Sequence, residues 1–251
     1  IDIGTNGEIV CGGADGLIAC STAAGPALEG ATIRHGSGGV TGAIDHIRRE
    51  DSRFVITTIG DADAQSICGT GLMDAVAMLL DDGIVDETGR MDLDGTNEDA
   101  RGAYEGRMIE VDGEPAFVLA ERSGGARIVL TQGDIRQVQL AKGAIAAGVR
   151  VLLAELGIGP DELETVYLAG GFGTFVAPVS AVRVGLLPGI RPEAVRALGN
   201  AAGAGAARVL VDTDGARAAE QAAGACRYVE LSGSSAFQEY YMEEMMFPVT
   251  G

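Results

Sequence analysis

A chain of 251 residues with 47% hydrophobic and 22% charged side chains has the composition of a folded domain, or of one domain carrying an insertion, and not of a disordered tail. Its 18 Lys and Arg stand against 36 Asp and Glu, and the formal charge of −18 argues against a nucleic-acid binder or a protein of anionic membrane surfaces, both of which need clustered basic charge. The 39 glycines, with 4% aromatic residues and no Trp, predict many tight turns and close backbone approaches among small aliphatic side chains.

Ile1-Asp2-Ile3 reads as the middle of a strand with no initiator Met before it, so the sequence is expected to be a piece of a longer protein. Turn chemistry at Thr5-Asn6-Gly7 and Ala14-Asp15-Gly16 separates short apolar runs at 1–4, 8–11 and 17–20, which predicts an opening β-meander. Residues 21–52 are rich in Gly, Ala, Thr and Ser, with strands expected at 43–47 and 54–59. A helix is expected over 66–82, opened by Cys68-Gly69-Thr70-Gly71 and stopped at Gly83. An acidic, turn-rich stretch at 81–97, a hairpin around Asp112-Gly113-Glu114 and a strand at 127–131 suggest a small inserted subdomain over about 84–131.

The clearest helix runs from 132 to 156, where Ile135, Val138, Ile145, Val149, Leu152 and Leu156 keep helical spacing up to Gly157. Lys142 projects from that apolar face, either as a stem snorkelling at the edge of the core or as an ammonium aimed into a cleft that holds an anion. An apolar strand at 165–169 runs into Gly170-Gly171-Phe172-Gly173. Helical patterns follow at 180–186, 192–208 and 216–225, then a strand at 228–231 and a last helix at 236–246. Strands alternating with helices after a meander imply an α/β fold, a mixed sheet with helices on both faces.

Three glycine-centred turns carry the chemistry. In Asp2-Ile3-Gly4-Thr5-Asn6-Gly7-Glu8, backbone N–H groups can converge on phosphate oxygens, and Asp2 can hold a hydrated Mg²⁺. Gly170 to Gly173 offer the same logic for a flat ligand at a strand end, and Gly69, Thr70 and Gly71 open a helix whose N-terminus favours anions. Each is weak alone and an ordinary turn by default; together they are what a nucleotide clamp between lobes requires. A G-x-x-x-x-G-K-[ST] phosphate loop and a dinucleotide fingerprint are both missing. The four cysteines, Cys11, Cys20, Cys68 and Cys226, form no C-x-x-C pair and read as buried thiols of a reducing cytoplasm.

The D-I-G-T-N-G-E hairpin, the run from Ala19-Cys20-Ser21-Thr22 to Leu28-Glu29-Gly30, Ile67-Cys68-Gly69-Thr70-Gly71-Leu72-Met73-Asp74, Gln132-Gly133-Asp134-Ile135, Tyr167-Leu168-Ala169-Gly170-Gly171-Phe172-Gly173, Gly199-Asn200-Ala201-Ala202 and Phe247-Pro248 resemble the reductive activators of corrinoid proteins across nearly the whole chain. The resemblance implies a ribonuclease H-like, actin-like ATPase lobe of the acetate and sugar kinase, Hsp70 and actin superfamily. It further implies ATP with Mg²⁺ as cofactors and a corrinoid protein or cobalamin-dependent methyltransferase as partner, whose Co(II) corrinoid is reduced to Co(I). On this reading Asp2 to Glu8 is the second phosphate hairpin, with Asp2 the catalytic and Mg²⁺-holding carboxylate through water. Gly4, Thr5, Asn6, Gly7, Gly69, Thr70 and Gly71 face phosphates; Gly170, Gly171, Phe172 and Gly173 form the adenosine motif; Gln139 and Lys142 lie on a helix lining the nucleotide side. The family's first phosphate hairpin and its ferredoxin-type [2Fe–2S] domain have no counterpart in these residues and are expected upstream. Two other readings stay open: a phosphotransferase acting on a small metabolite, and a non-catalytic module that binds a corrinoid protein or self-associates as a homodimer.

Overall fold

The computed structural model describes residues 1–13, 16–50, 53–92, 104 and 106–249. The opening meander forms as its turns demand, with β1 (Asp2–Ile3), β2 (Gly7–Gly13) and β3 (Gly16–Thr22) pairing antiparallel through Asp2 with Glu8 and Ile9 with Cys20. The expected turn residues Ala14 and Asp15 lie outside the described residues, as do 93–97 of the acidic stretch. A 3₁₀ turn at Pro26–Glu29 leads to β4 (Ala43–Glu50), β5 (Arg53–Thr58) and the two-residue β6 (Ser66–Ile67), which delivers the chain to helix α1 (Gly69–Asp81). Strands β7 (Met108–Val111), β8 (Glu114–Glu121) and β9 (Arg127–Thr131) precede the long α2 (Gln132–Leu156).

Helix α2 starts where it does because Thr131 and Asp134 cap each other. The Thr131 hydroxyl accepts the Asp134 N–H at 3.2 Å, and the Asp134 carboxylate accepts the Thr131 N–H at 2.8 Å. After it come β10 (Val166–Ala169), the single turn α3 (Gly170–Gly173), α4 (Pro178–Arg183) and β11 (Val195–Gly199). Helices α5 (Ala201–Val211) and α6 (Thr213–Ala225), strand β12 (Cys226–Tyr228) and helix α7 (Ser235–Glu244) complete the chain.

The main sheet is mixed, in the order β11-β10-β1-β2-β3-β12 among the described residues, with β10 parallel to both β1 and β11, and β12 parallel to β3. Helix α2 covers one face of it so closely that a β-carbon at Gly148 would lie 2.6 Å from Thr22 Cγ2 and 2.8 Å from Ile9 Cδ1. The opposite face presents Val10, Tyr167, Leu198 and Tyr228, all about half exposed. Two further three-stranded sheets, β5-β4-β6 and β7-β8-β9, flank α1 and the start of α2. The sheet of β7, β8 and β9 has two apolar faces: Ala116, Val118 and Val129 form a small cluster of their own with Ile109 and Val111, and the other face joins the main core. Phe117 of β8 is fully buried against Phe54 and Tyr104, and Leu119, Ile128 and Leu130 join the same apolar cluster as α1 and α2.

Three local expectations are corrected. The stretch 192–208 is not one helix: Val195 to Gly199 pair with β10 in parallel, and the helix begins after Asn200, whose side chain accepts the Gly203 N–H at 2.7 Å. An alanine-rich run has high helix propensity, but the free edge of β10 claims its first residues as a strand. The closing strand starts at Cys226, two residues earlier than its apolar pattern, because Cys226 to Tyr228 pair with Leu17 to Ala19. Residues 66 and 67 form a strand beside β4, so α1 begins only at Gly69.

Candidate functional site

The carboxyl ends of parallel neighbours β1 and β10 lie side by side, since Asp2 registers with Ala169 and the Ala169 N–H donates to the Ile1 carbonyl at 2.8 Å. Both strands therefore deliver a glycine turn to one crevice, the usual ligand position in open α/β sheets. On the β1 side, the Gly4 N–H donates to Asn6 O at 2.9 Å and the Gly25 N–H to Thr5 O at 2.8 Å; Thr5 and Asn6 are exposed. On the β10 side, Gly170 takes φ of +86° and sits directly on Asp2. Asp2 itself is half-buried.

Beside this crevice opens a cavity of about 710 Å³, within the range of small-molecule sites. Ile3 of β1, Glu29 of the 3₁₀ turn, the Ser37-Gly38-Gly39 loop, Asp45 and His46 of β4, the α1 start at Cys68-Gly69-Thr70, and Gly171, Phe172 and Phe175 line it. The Thr5 hydroxyl donates to the Glu29 carboxylate at 2.6 Å, which ties the β1 hairpin to the cavity wall. Cys68, the N-cap of α1, makes no side-chain capping bond, and the first intrahelical bond is Leu72 N–H to Cys68 O at 2.9 Å. The preceding amides are thus left for another acceptor, the condition for anion binding at a helix start. Phe175 is 68% exposed, whereas Phe172 is buried, so one ring is offered to the cavity and the other forms its floor.

His46 is held by a buried acid. Its Nδ1 lies 2.9 Å from Oδ2 of Asp74, which also accepts the Ile47 N–H at 3.3 Å, while Asp74 Oδ1 accepts the Ser180 hydroxyl at 2.5 Å. The other histidine is structural: His35 Nδ1 accepts the Val129 N–H at 2.9 Å, and burial, reinforced by Arg122, pushes its titration down.

A family model described as the C-terminal domain of RACo, the ASKHA domain, matches residues 1–251. The chain belongs to that family. It is 37% identical over 250 residues to the corrinoid activation enzyme RamQ of Eubacterium limosum, covering 98% of this chain and 42% of that enzyme. It is 27% identical over 217 residues to the [Co(II) methylated amine-specific corrinoid protein] reductase of Methanosarcina barkeri, covering 78% of this chain and 35% of the reductase. A solved structure of a reductive activator for corrinoid, iron-sulfur protein superposes with a TM-score of 0.87 at 34% identity, over 98% of this chain and 39% of that one. This ASKHA domain therefore spans about two fifths of the length of the activators it resembles.

Within the ASKHA domain the expected site residues divide. Gly69, Thr70, Gly171 and Phe172 line the cavity, and Asp2, Gly4, Thr5, Asn6 and Gly170 border it at the crevice. Gly7, Gly71 and Gly173 make close packing contacts: their absent β-carbons would meet Thr22 Oγ1 and Ile145, the Ile44 carbonyl, and Leu168, respectively.

Gln139 and Lys142, expected on a helix lining the nucleotide side, are not among the residues that line the cavity. Both are fully buried on the face of α2 that receives the C-terminal segment. Gln139 Nε2 donates to Thr88 O at 3.0 Å and to Met245 O at 2.7 Å; Lys142 Nζ donates to Met246 O and lies 5.4 Å from the centroid of the Phe247 ring. Desolvation drives the Lys142 ammonium down to about 8, with Glu244 opposing. Neither the snorkelling stem nor the anion-seeking ammonium describes it, because residues 245–247 fold over the place where either would emerge.

The cysteines do not converge, and among the described residues no group of three or more His, Cys, Asp or Glu side chains is placed to hold a metal ion. Among them, too, no helix is long and apolar enough to cross a membrane. Glu29, Asp45, His46 and Phe175 are cavity residues that periodicity could not single out, since they come from three separate segments, the 3₁₀ turn, β4 and the stretch after Gly173.

Proposed function

We infer that this ASKHA domain is the nucleotide-binding part of an ATP-dependent activator that returns an inactive Co(II) corrinoid of a methyltransferase system to Co(I). The observation that carries the reading is the meeting of the two glycine turns, Gly4 to Asn6 and Gly170 to Phe172, at adjoining strand ends beside the cavity. The chain-wide likeness to proteins named for corrinoid activation and Co(II) corrinoid-protein reduction supports the activity, and those proteins are more than twice as long as this chain.

The residues present fit a Mg²⁺-nucleotide. Thr5 and Asn6 at the exposed hairpin and the open first turn of α1 supply amides for phosphate oxygens. Gly171, whose β-carbon would meet nothing within 4 Å, leaves room for a flat ring beside Phe175. Asp2 would hold Mg²⁺ through water, as that ion prefers few carboxylates. Bound ATP supplies free energy through its differential affinity for two arrangements of the lobes. What this chain does is grip: Gly170, lacking a β-carbon, lets the β10 turn close onto Asp2, and the Thr5–Glu29 bond couples the hairpin to the cavity wall.

The electron for Co(II) would come from a [2Fe–2S] cluster carried by the remaining length of the protein, and the partner would be a corrinoid protein in the cytoplasm. The test uses the full-length protein with a low-potential reductant and a Co(II) corrinoid protein. The expected result is growth of the Co(I) absorbance band on adding Mg-ATP and a calorimetric binding signal for Mg-ATP. Nucleotide-independent reduction together with no binding heat would overturn the reading.

A further inference from the structure

We propose that His46 is the phosphate-contacting side chain of the cavity, its Nε2 presented to an anionic oxygen of the ligand by the buried Asp74. The assignment rests on the nucleotide reading and deepens it.

Three observations carry it. First, the ring is oriented. An ionised carboxylate only accepts hydrogen bonds, so the 2.9 Å contact of His46 Nδ1 with Asp74 places the ring proton on Nδ1 and leaves Nε2 for the cavity. Second, Asp74 cannot swing away. It is 7% exposed, and the Ile47 N–H and the Ser180 hydroxyl hold its two oxygens from β4 and α4. A buried acid fixed from two elements behind a half-exposed imidazole is the arrangement that orients a functional histidine. Third, the cavity lacks other positive charge. Among its described lining residues the charged or titratable groups are Glu29 of the 3₁₀ turn, Asp45 beside His46 on β4, Cys68 at the α1 start, and His46. Asp74 stands behind the ring, Arg48 follows two residues along β4, and among the described lining residues His46 alone can become cationic.

The sequence contrast within the chain sharpens the point. His35 uses Nδ1 as an acceptor and is driven toward neutrality, whereas His46 uses Nδ1 as a donor and keeps its second nitrogen for a ligand. A phosphate oxygen at Nε2 favours the doubly protonated ring, so ligand binding draws in a proton.

The experiment compares wild-type full-length protein with His46→Gln and His46→Lys by calorimetry with Mg-ATP, in buffers of different ionisation enthalpy at one pH. Wild-type protein should bind with net proton uptake. His46→Gln should bind about tenfold more weakly, the loss of one charge-assisted hydrogen bond, and without the His46 share of the uptake. His46→Lys, with a fixed charge, should keep most of the affinity and also lack that share. Circular dichroism melts report whether the variants fold. Unchanged affinity in His46→Gln, or weaker binding with wild-type proton uptake, would overturn the His46 assignment alone. No binding heat in the wild type would overturn the nucleotide reading and the assignment with it.

Discussion

A β-carbon at Gly170 would lie 2.6 Å from Oδ1 of Asp2, and Gly170 holds φ of +86°, a conformation that L side chains rarely adopt. The same missing atom leaves room for the Ile3 carbonyl at 2.7 Å, so the β1 and β10 turns can share one crevice. Gly170→Ala is therefore expected to cost about 1–3 kcal/mol of stability and to weaken Mg-ATP binding. Urea denaturation of the domain and calorimetry on the full-length protein measure the two effects. Gly171→Ala, with open space around it, should leave stability within about 1 kcal/mol.

Gln139 separates structural from ligand-facing roles. Gln139→Ala removes buried bonds to Thr88 O and Met245 O and leaves both carbonyls without that donor. The expected loss is about 2–4 kcal/mol. Because the residue lies away from the cavity, Mg-ATP affinity of the folded full-length variant should stay near the wild-type value. A selective loss of affinity without loss of stability would restore Gln139 to the nucleotide site.

Lys142 gives a pH signature. In the folded protein its ammonium releases its proton near 8, against an ordinary value of 10.5, so the native state holds that proton less tightly than the unfolded chain. Its contribution to stability is fully present above the ordinary value and is lost as pH falls through about 8. Between pH 8 and 10.5 the stability of the wild type, taken relative to Lys142→Met, should therefore rise by about 2–4 kcal/mol. Below pH 8 the difference should be flat. Paired urea melts at pH 7.5, 9 and 10.5 check this, and a gap that narrows with rising pH would contradict it.

The thiols should label in a set order. Burial pushes Cys20 up to about 12 and raises Cys11 less far, whereas Cys226 is partly exposed. Since the thiolate is the nucleophile, iodoacetamide at pH 8 should modify Cys226 first and Cys20 only after unfolding. Peptide mass spectrometry over a time course reads the order directly.

Much of the fold was legible because it rests on local signals. The Thr5-Asn6-Gly7 turn, the capped 132–156 helix with its apolar period, and the apolar 166–169 strand all appear within a residue or so of their expected places. The errors came where a partner decided. Residues 195–199 have a composition that suits a helix, yet they pair with the open edge of β10. The apolar period of α2 placed Lys142 correctly on the inward face and said nothing of what covers it. The chain of residues 245–247, over a hundred positions away, answers that question.

By itself the sequence determined the glycine turns, the central helix, the acidic surface and the family, because turn chemistry, helical periodicity and long motif strings are written in neighbouring residues. Only the tertiary structure decided which groups share the cavity. Glu29, Asp45, His46 and Phe175 meet there because parallel pairing and helix packing bring distant segments together, and no local spacing encodes that convergence. The same packing kept Gln139 and Lys142 out of the cavity lining and set Asp74 behind His46, since what a buried polar side chain does depends on the partner that satisfies it.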